Sequence, residues 1–328
     1  MERQAKHFLR EYDATLLEMQ QITGKLWRLE TDRGTFALKE TRESPEQLYF
    51  VANWLYFLHT AGVRSVIPFQ ITKYGEPYIL TRQGIYMLRP WVQSGAGMEL
   101  FSDWETSAIT EMARIHRASE AAKEHWKGYA PVTLARIRER WKGGVSALHQ
   151  MLIAPQSGAS LFESAVKGSG DYVLRYAVRA VKQLDELQNK GIGEEGLALS
   201  LCHGRIHREN IIAGGNGELY FINFDRANLD TPVRDLAIFF RRYAPRRQWD
   251  SRVGMNWMRA YESVRPLSHG EKKLLACYLL YPERMMKELS RYTKEERVLP
   301  AAEQQHVYRW QKNLQMLSKT YGFINAIV

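Results

Sequence analysis

The sequence predicts an α+β protein of two lobes: a β-rich lobe of residues 1–92, a hinge at 93–97 and a helical lobe of residues 98–328. Three observations support this division. Short apolar runs of strand character continue to about residue 91, helical spacing dominates after residue 98, and the glycine-containing stretch QSGAG separates the two patterns. With 328 residues, of which 45% are hydrophobic, the chain is long enough to form two packed cores.

The small lobe is predicted to be a sheet that carries one helix. LWRLET and TFALKE are β-rich runs joined by Asp32-Arg33-Gly34, which indicates a hairpin that ends near Lys39. Ser44 followed by Pro45 is a typical helix start, and the apolar run after it should end at Gly62. Further short strands are expected at 66–72, 77–81 and 85–91.

Helices are expected to make up most of the second lobe. The first shows a buried stripe at Trp104, Ala108, Met112 and Ile115, with spacings of three and four residues. Residues 155–170 are expected to form a loop or a short interrupted helix. The remaining helices are predicted at 134–152, 172–190, 253–264, 269–291 and 303–321.

One segment with strand and turn character interrupts these helices, at residues 200–242. It reads SLCHGRIHREN, then IIAGGNGELYFIN, then FDRANLDTPVRDLAIFFRR. The Gly-Gly-Asn-Gly turn reverses the chain, so that Arg205, Asn210, Asn223 and Asp225 would meet at the ends of a short hairpin. Polar groups placed in this way are typical of a phosphate and metal site in a kinase-like lobe.

Charge and composition limit the classes of partner. The formal net charge of +10 favours anionic partners, including acidic proteins. The two cysteines are too few for a disulfide framework, the N-terminus lacks the apolar segment of a signal peptide, and no run approaches the length of a membrane span. An arginine cluster at 241, 242, 246 and 247 lacks any accompanying nucleic-acid-binding signature, so specific nucleic-acid recognition is not expected.

Several motifs occur together and in order: HGRIHREN, INFDRA and PVRDLA, with ETDRGTFALKE and YMLRPWV before them. This set resembles the aminoglycoside-phosphotransferase-like kinases, and specifically the bacterial spore-coat kinase-like proteins of the CotS family. The resemblance covers essentially the whole chain. It implies a two-lobed protein kinase-like fold and a place in the mother-cell cytoplasm or in the spore coat.

The resemblance assigns roles to individual residues. Lys39 would hold the α- and β-phosphates of a nucleotide, with Glu46 as its ion-pair partner, and Asn210 would bind a metal ion. His203 would be a hydrogen-bonded structural residue of the loop, and Asp235 would brace that loop from a buried position. If an adenine pocket is retained, the main-chain carbonyl of Arg89 and the amide of Trp91 would contact the base.

Two departures from the family pattern concern the reaction itself. Arg205 stands where the family has its catalytic aspartate, and Asn223 stands where it has its magnesium-binding aspartate. Arginine has no acceptor and keeps its proton, so it cannot serve as a base, and a neutral amide oxygen binds a metal ion weakly. Arg205 is instead expected to pair with an anion, either a nucleotide phosphate or Asp225.

These departures predict a pseudokinase that acts as an assembly or interaction module. No cofactor would be required, ATP would bind weakly with or without magnesium, and the partners would be other spore-coat or acidic proteins. The alternative is an active small-molecule or sugar phosphotransferase with displaced carboxylates, using Asp225 for the metal and Glu209 near the acceptor. On an extended chain Asp225 would point the same way as Asn223, although it could also be a structural acid that pairs with Arg226 or Arg234.

Overall fold

The computed structural model describes residues 1–95, 103–122, 124, 128–155, 159–189, 197–295 and 298–327. The chain forms two compact units, each built from two segments. The first unit comprises Met1–Gly128 and His203–Asn228, and the second comprises Tyr129–Cys202 and Leu229–Val328. The lobe boundaries expected at 92 and 97 stay predictions, and residues 96 and 97 lie outside the described part of the chain.

The first unit contains a five-stranded antiparallel sheet, the small sheet of a kinase-like fold. Its strands are β1 Leu16–Thr23, β2 Leu26–Thr31, β3 Gly34–Thr41, β4 Ile79–Leu80 and β5 Ile85–Pro90, in the order β1-β2-β3-β5-β4. The hairpin between β2 and β3 forms as expected, with Thr31 opposite Gly34. Gly34 has φ +114°, a conformation that few other residues adopt without strain.

The two faces of this sheet have different roles. Leu38 of β3 and Leu88 of β5 are opposite each other and belong to a buried cluster that includes Phe8 of α1 (Glu2–Leu9). Because side chains alternate along a strand, the neighbouring residues Lys39 and Arg89 point to the other face. This alternation places two cationic side chains together on the face opposite that apolar cluster.

Helix α2 (Pro45–Thr60) begins as its sequence predicts. The Ser44 side chain accepts a hydrogen bond from the Gln47 amide, and the chain turns at Gly62, where φ is +91°. The strand expected at residues 66–72 is wrong, because Val66 makes only an isolated bridge to Phe221 there. The charged N-terminal segment forms α1, a helix that the sequence pattern did not predict.

Among the described residues, eleven further α-helices and strands follow α3 (Trp104–Ala121), and the helices depart from expectation in two places. Helix α5 starts at Leu161, inside the segment expected to be irregular, and the single helix expected at 269–291 is two helices separated at Pro282. Proline lacks an amide donor and clashes with the preceding turn, which explains that break. The elements are α4 Leu134–Ile153, α5 Leu161–Asn189, β6 Ser200–Cys202, β7 Ile211–Ala213, β8 Leu219–Phe221, β9 Asn228–Asp230, α6 Val233–Tyr243, α7 Ser251–Glu262, α8 His269–Leu280, α9 Glu283–Tyr292 and α10 Pro300–Ile327.

The second unit has a core rich in aromatic side chains. Trp141 of α4 stacks on Tyr281, with ring centroids 4.4 Å apart and an interplanar angle of 7°. The thiols of Cys202 and Cys277 are buried and unbonded to each other, and burial raises the pKa of both. Within the described residues, every helix is too short or too polar to cross a membrane.

Asp230 is expected to make the second unit less stable as pH rises. Burial raises the pKa of this carboxyl from 3.8 to about 6, although Arg234, 2.7 Å away, opposes the shift. Between about pH 4 and 6 the folded state therefore holds more protons than the unfolded state, so the free energy of unfolding falls by on the order of 2 kcal/mol. In urea titrations across this range, Asp230→Asn should remove that decline, whereas exposed Asp171→Asn should keep it. Equal pH slopes in wild type and Asp230→Asn would contradict this prediction.

Candidate functional site

A loop in the first unit, beginning at His203, carries Arg205, which stands where the family pattern has its catalytic aspartate. The His203 ring lies with Nε2 2.9 Å from the carbonyl of Ile222, and its Nδ1 accepts a hydrogen bond of 3.2 Å from the Arg205 amide. This pair of bonds requires Nε2 to donate. Gly204 between them has φ +71°, and a Cβ added there would lie 2.6 Å from the carbonyl oxygen of Arg226, so only glycine fits. His203 therefore holds the loop against the end of β8.

Asn210 ties the same loop to the segment that follows β8. Its Nδ2 donates to the carbonyl of Arg205 over 2.9 Å, and its Oδ1 accepts from Asn223 Nδ2, also over 2.9 Å. Its main-chain carbonyl accepts from the Ile222 amide. Asn210 is 2% exposed, so its amide is committed to these protein groups and fixes the distance between the loop and Asn223.

The chain after β8 is not extended, contrary to the expectation for Asn223 and Asp225. Asn223 adopts a left-handed conformation with φ 63°, which asparagine tolerates better than most residues, and a short 3-10 helix follows at Phe224–Arg226. The two side chains nevertheless reach the same group. Asn223 Oδ1 lies 3.0 Å and Asp225 Oδ2 lies 2.5 Å from the ammonium of Lys39.

Lys39 is therefore the centre of the site, but its partner is not the expected one. Its ion pair is with Asp225, whereas the Glu46 carboxylate is exposed and has its pKa lowered by a hydrogen bond with Ser44 at the start of α2. Glu46 occupies the first helical turn and faces solvent, so the predicted Lys39–Glu46 ion pair is wrong. Burial lowers the pKa of Lys39, while the charge of Asp225 opposes that shift.

The residue after Glu46 makes the contact that the sequence pattern missed. Gln47 Nε2 donates to the carbonyl of Ala227 over 2.8 Å and to the carbonyl of Asp225 over 3.3 Å. These bonds attach α2 to the segment after β8. Glu46 is ionisable and Gln47 is not, and nothing in a single sequence marks Gln47 as the more important residue.

Trp91 does not present the main-chain amide expected for adenine, and the use of the Arg89 carbonyl stays a prediction. The Trp91 amide donates to the carbonyl of Thr35 over 2.9 Å, because the β3–β5 ladder continues past Pro90, so it is not available to a base. The Arg89 side chain is 8% exposed and donates to Asn223 Oδ1 over 3.4 Å. Burial lowers the pKa of Arg89, and Asp225 opposes this effect. The expected use of the Trp91 amide is therefore wrong, and Arg89 joins the site through its side chain.

The remaining predicted site residues, all within the described part of the chain, do not form ion pairs with Lys39 or Asp225. Arg205 is exposed, and its charge acts on Lys39, but the predicted pairing with Asp225 is wrong because Lys39 holds that carboxylate. Glu209 is 84% exposed at its side chain and lies 3.5 Å from His207 Nδ1. Asp235 is buried in the first turn of α6 in the second unit, and its bracing role stays a prediction. Arg234 pairs with Asp230 and not with Asp225.

These residues do not fit the magnesium ion that a phosphotransferase would use. A divalent cation takes carboxylate and carbonyl oxygens. Here Asn223 Oδ1 already accepts from two cations, Lys39 and Arg89, and Asn210 Oδ1 accepts from Asn223. The one carboxylate, Asp225, is neutralised by Lys39. A metal ion at this position would meet like charges and few free ligands.

Comparison of the sequence with known proteins finds a matching enzyme family and a relative that is a coat protein. The sequence profile of the phosphotransferase enzyme family matches residues 23–268. Spore coat protein S of Bacillus subtilis is 24% identical over 286 residues, which are 82% of this chain and 77% of that protein.

Solved structures of phosphotransferases share the fold along nearly the whole chain. An aminoglycoside phosphotransferase from Alicyclobacillus acidocaldarius superposes with a TM-score of 0.80 at 16% identity, covering 99% of this chain and 94% of that one. Spectinomycin phosphotransferase, solved with ADP and spectinomycin, gives 0.63 at 13% identity, covering 97% and 98%. The predicted α+β kinase-like fold, with a small antiparallel sheet and a larger helical lobe, is thus confirmed.

Proposed function

The chain belongs to the phosphotransferase enzyme family, and from that premise we propose that it is a pseudokinase whose fold serves as an assembly or interaction module of the spore coat. The observation that carries the proposal is the set of contacts at Lys39. The lysine that would hold nucleotide phosphates is bound to Asn223 and Asp225, and both acids that the reaction needs are replaced, by Arg205 and Asn223.

Phosphoryl transfer depends on positioning the acceptor hydroxyl and on neutralising charge with metal ions. Arg205 cannot accept the proton of a hydroxyl, and Asn223 faces Lys39 and Arg89 with the oxygen that a metal would need. The alternative, an active kinase with displaced carboxylates, requires Asp225 for a metal and Glu209 near the acceptor. The Lys39–Asp225 ion pair and the 84% exposed side chain of Glu209 give that alternative no support.

A role in the coat is supported by the relative called spore coat protein S, which shares most of its length with this chain. The net charge of +10 suits binding to acidic coat proteins, as expected from composition. The proposal places the protein in the mother-cell cytoplasm or in the coat itself, with no required cofactor.

We expect no phosphoryl transfer that depends on Lys39. Wild type and Lys39→Ala would be incubated with radiolabelled ATP and magnesium over a panel of sugars, aminoglycosides, choline-like alcohols and coat proteins. The two proteins should give the same background of labelled product, because no group orients the acceptor. Transfer by wild type at about 1 s⁻¹ or faster, lost in Lys39→Ala, would contradict the proposal.

The assembly role needs a separate measurement. A fluorescent fusion expressed during sporulation of Bacillus subtilis should collect at the forespore surface, and Lys39→Ala should collect there equally. A fusion that stays evenly dispersed through the mother cell would argue against coat association.

A further inference from the structure

Three basic side chains contribute positive charge at the Lys39 site, and one carboxylate opposes them. Lys39 is paired with Asp225, Arg89 shares Asn223 Oδ1 with Lys39, and the charges of Arg89 and Arg205 both lower the pKa of Lys39. Asp225 is the acid whose charge opposes these effects at both Lys39 and Arg89. The four side chains therefore carry a net charge of about +2.

Arg89 is buried on the same face of the sheet as Lys39, so its positive charge adds to that of Lys39 on this face. Its side chain is 92% buried and lies on the same sheet face as Lys39, opposite the apolar cluster that contains Leu88. A guanidinium has five N–H donors, and a carboxylate or phosphate can take two of them at once. Among the described residues, this side chain donates to Asn223 Oδ1 from one of its nitrogens, so Arg89 keeps donors for a ligand.

We infer that this site binds the polyphosphate group of a ligand directly, without a divalent cation. Lys39, Arg89 and Arg205 would supply the positive charge that magnesium supplies in an active kinase. A phosphate chain with three or four negative charges complements the excess positive charge, and it would receive charge-assisted hydrogen bonds from the ammonium and the guanidinium groups. The inference rests on the proposed function, since one of the two substitutions that remove the family's carboxylates, Arg205, also provides one of the cations.

The phosphate chain, and not the base, is expected to provide the affinity. The Trp91 amide is committed to Thr35, so a main-chain contact that adenine would use is already occupied. ADP and inorganic pyrophosphate should therefore bind with similar affinity, AMP more weakly, and adenosine not measurably.

Isothermal titration calorimetry of the full chain with ADP, pyrophosphate, AMP and adenosine tests the inference, once with EDTA and once with excess magnesium. We expect binding of ADP and pyrophosphate in EDTA, with affinity unchanged or lowered by magnesium, which neutralises the ligand. Arg89→Met and Arg205→Gln should each weaken pyrophosphate binding at least about tenfold. Arg42→Gln removes the same charge from an exposed position just after β3, and this variant should bind pyrophosphate as wild type does.

Three results would overturn the inference: binding that appears only with magnesium, adenosine binding as tightly as ADP, or no heat from pyrophosphate with folded wild type at millimolar concentration. Circular dichroism of each variant confirms that it is folded. The result is separable from the proposed function. A protein that transfers no phosphate and binds no pyrophosphate leaves the pseudokinase proposal standing and removes only the metal-free site.

Discussion

Gly144→Ala is expected to destabilise the second unit by about 3 kcal/mol, whereas Gly143→Ala should stabilise it by about 0.5 kcal/mol. The two glycines are adjacent in α4. A Cβ at position 144 would overlap Tyr281 Oη and touch Met286, and the Tyr281 ring cannot move aside because it stacks on Trp141. A Cβ at position 143 would meet nothing within 4 Å, so alanine there only improves helix propensity.

Urea denaturation of the two variants and wild type gives both free energies of unfolding under identical conditions. Because both substitutions add one methyl group at adjacent positions of the same helix, the difference between them isolates the contact with Tyr281. Equal stability of the two variants would show that Tyr281 adapts to the extra atom and would contradict the packing described here.

Lys39→Met is expected to destabilise the first unit by about 2 kcal/mol and to raise amide hydrogen exchange across residues 222–228. The side chains of Lys39 and Asp225 are only 18% and 24% exposed, so removal of the ammonium leaves a mostly buried carboxylate without its partner. Asn223 loses one of its two cationic donors at the same time. The double variant Lys39→Met/Asp225→Asn should lose less stability than the two single variants together. The difference in the free energy of unfolding should exceed about 1 kcal/mol.

Lys25→Met is the matched control. Lys25 also forms an ion pair with a carboxylate, Glu40, over 2.8 Å, but its side chain is 45% exposed. Solvent screening limits an exposed pair to at most about 1 kcal/mol, and exchange in residues 222–228 should not change. If Lys25→Met and Lys39→Met had the same effect on stability and exchange, the Lys39 ion pair would not be what holds this segment.

The parts of the fold that could be predicted from sequence are those with local signals. The β2–β3 hairpin follows from its turn, and α2 follows from Ser44 and Pro45, since cap and turn residues act on their immediate neighbours. Helix α1 could not be predicted from its sequence pattern because charged and polar residues outnumber its apolar ones. Its narrow apolar face, formed by Ala5, Phe8 and Leu9, becomes buried only through tertiary contacts.

The residues of the candidate site could be predicted from the sequence, but the ion pair of Lys39 could not. The motifs identify Lys39, Asn210, Asn223 and Asp225 as site residues, and the side chains of these four residues are linked by hydrogen bonds in the structure. The wrong partner for Lys39 arose because a sequence shows spacing along the chain, whereas an ion pair depends on which acid is closest in space. Asp225 lies 186 residues beyond Lys39, and no local pattern reports such a contact.

The first unit is built from two segments of the chain, and this has a consequence for its synthesis. Met1–Gly128 leaves the ribosome first, but His203–Asn228 follows only after the whole intervening segment of the other unit. At 5 to 20 residues per second, about 10 to 40 s separate the appearance of Lys39 from that of Asp225, which is 186 residues later. During that interval the nascent sheet carries its central lysine without the acid that will neutralise it. The site is therefore among the last features of the first unit that can form, and a chain that stops before residue 225 cannot assemble it.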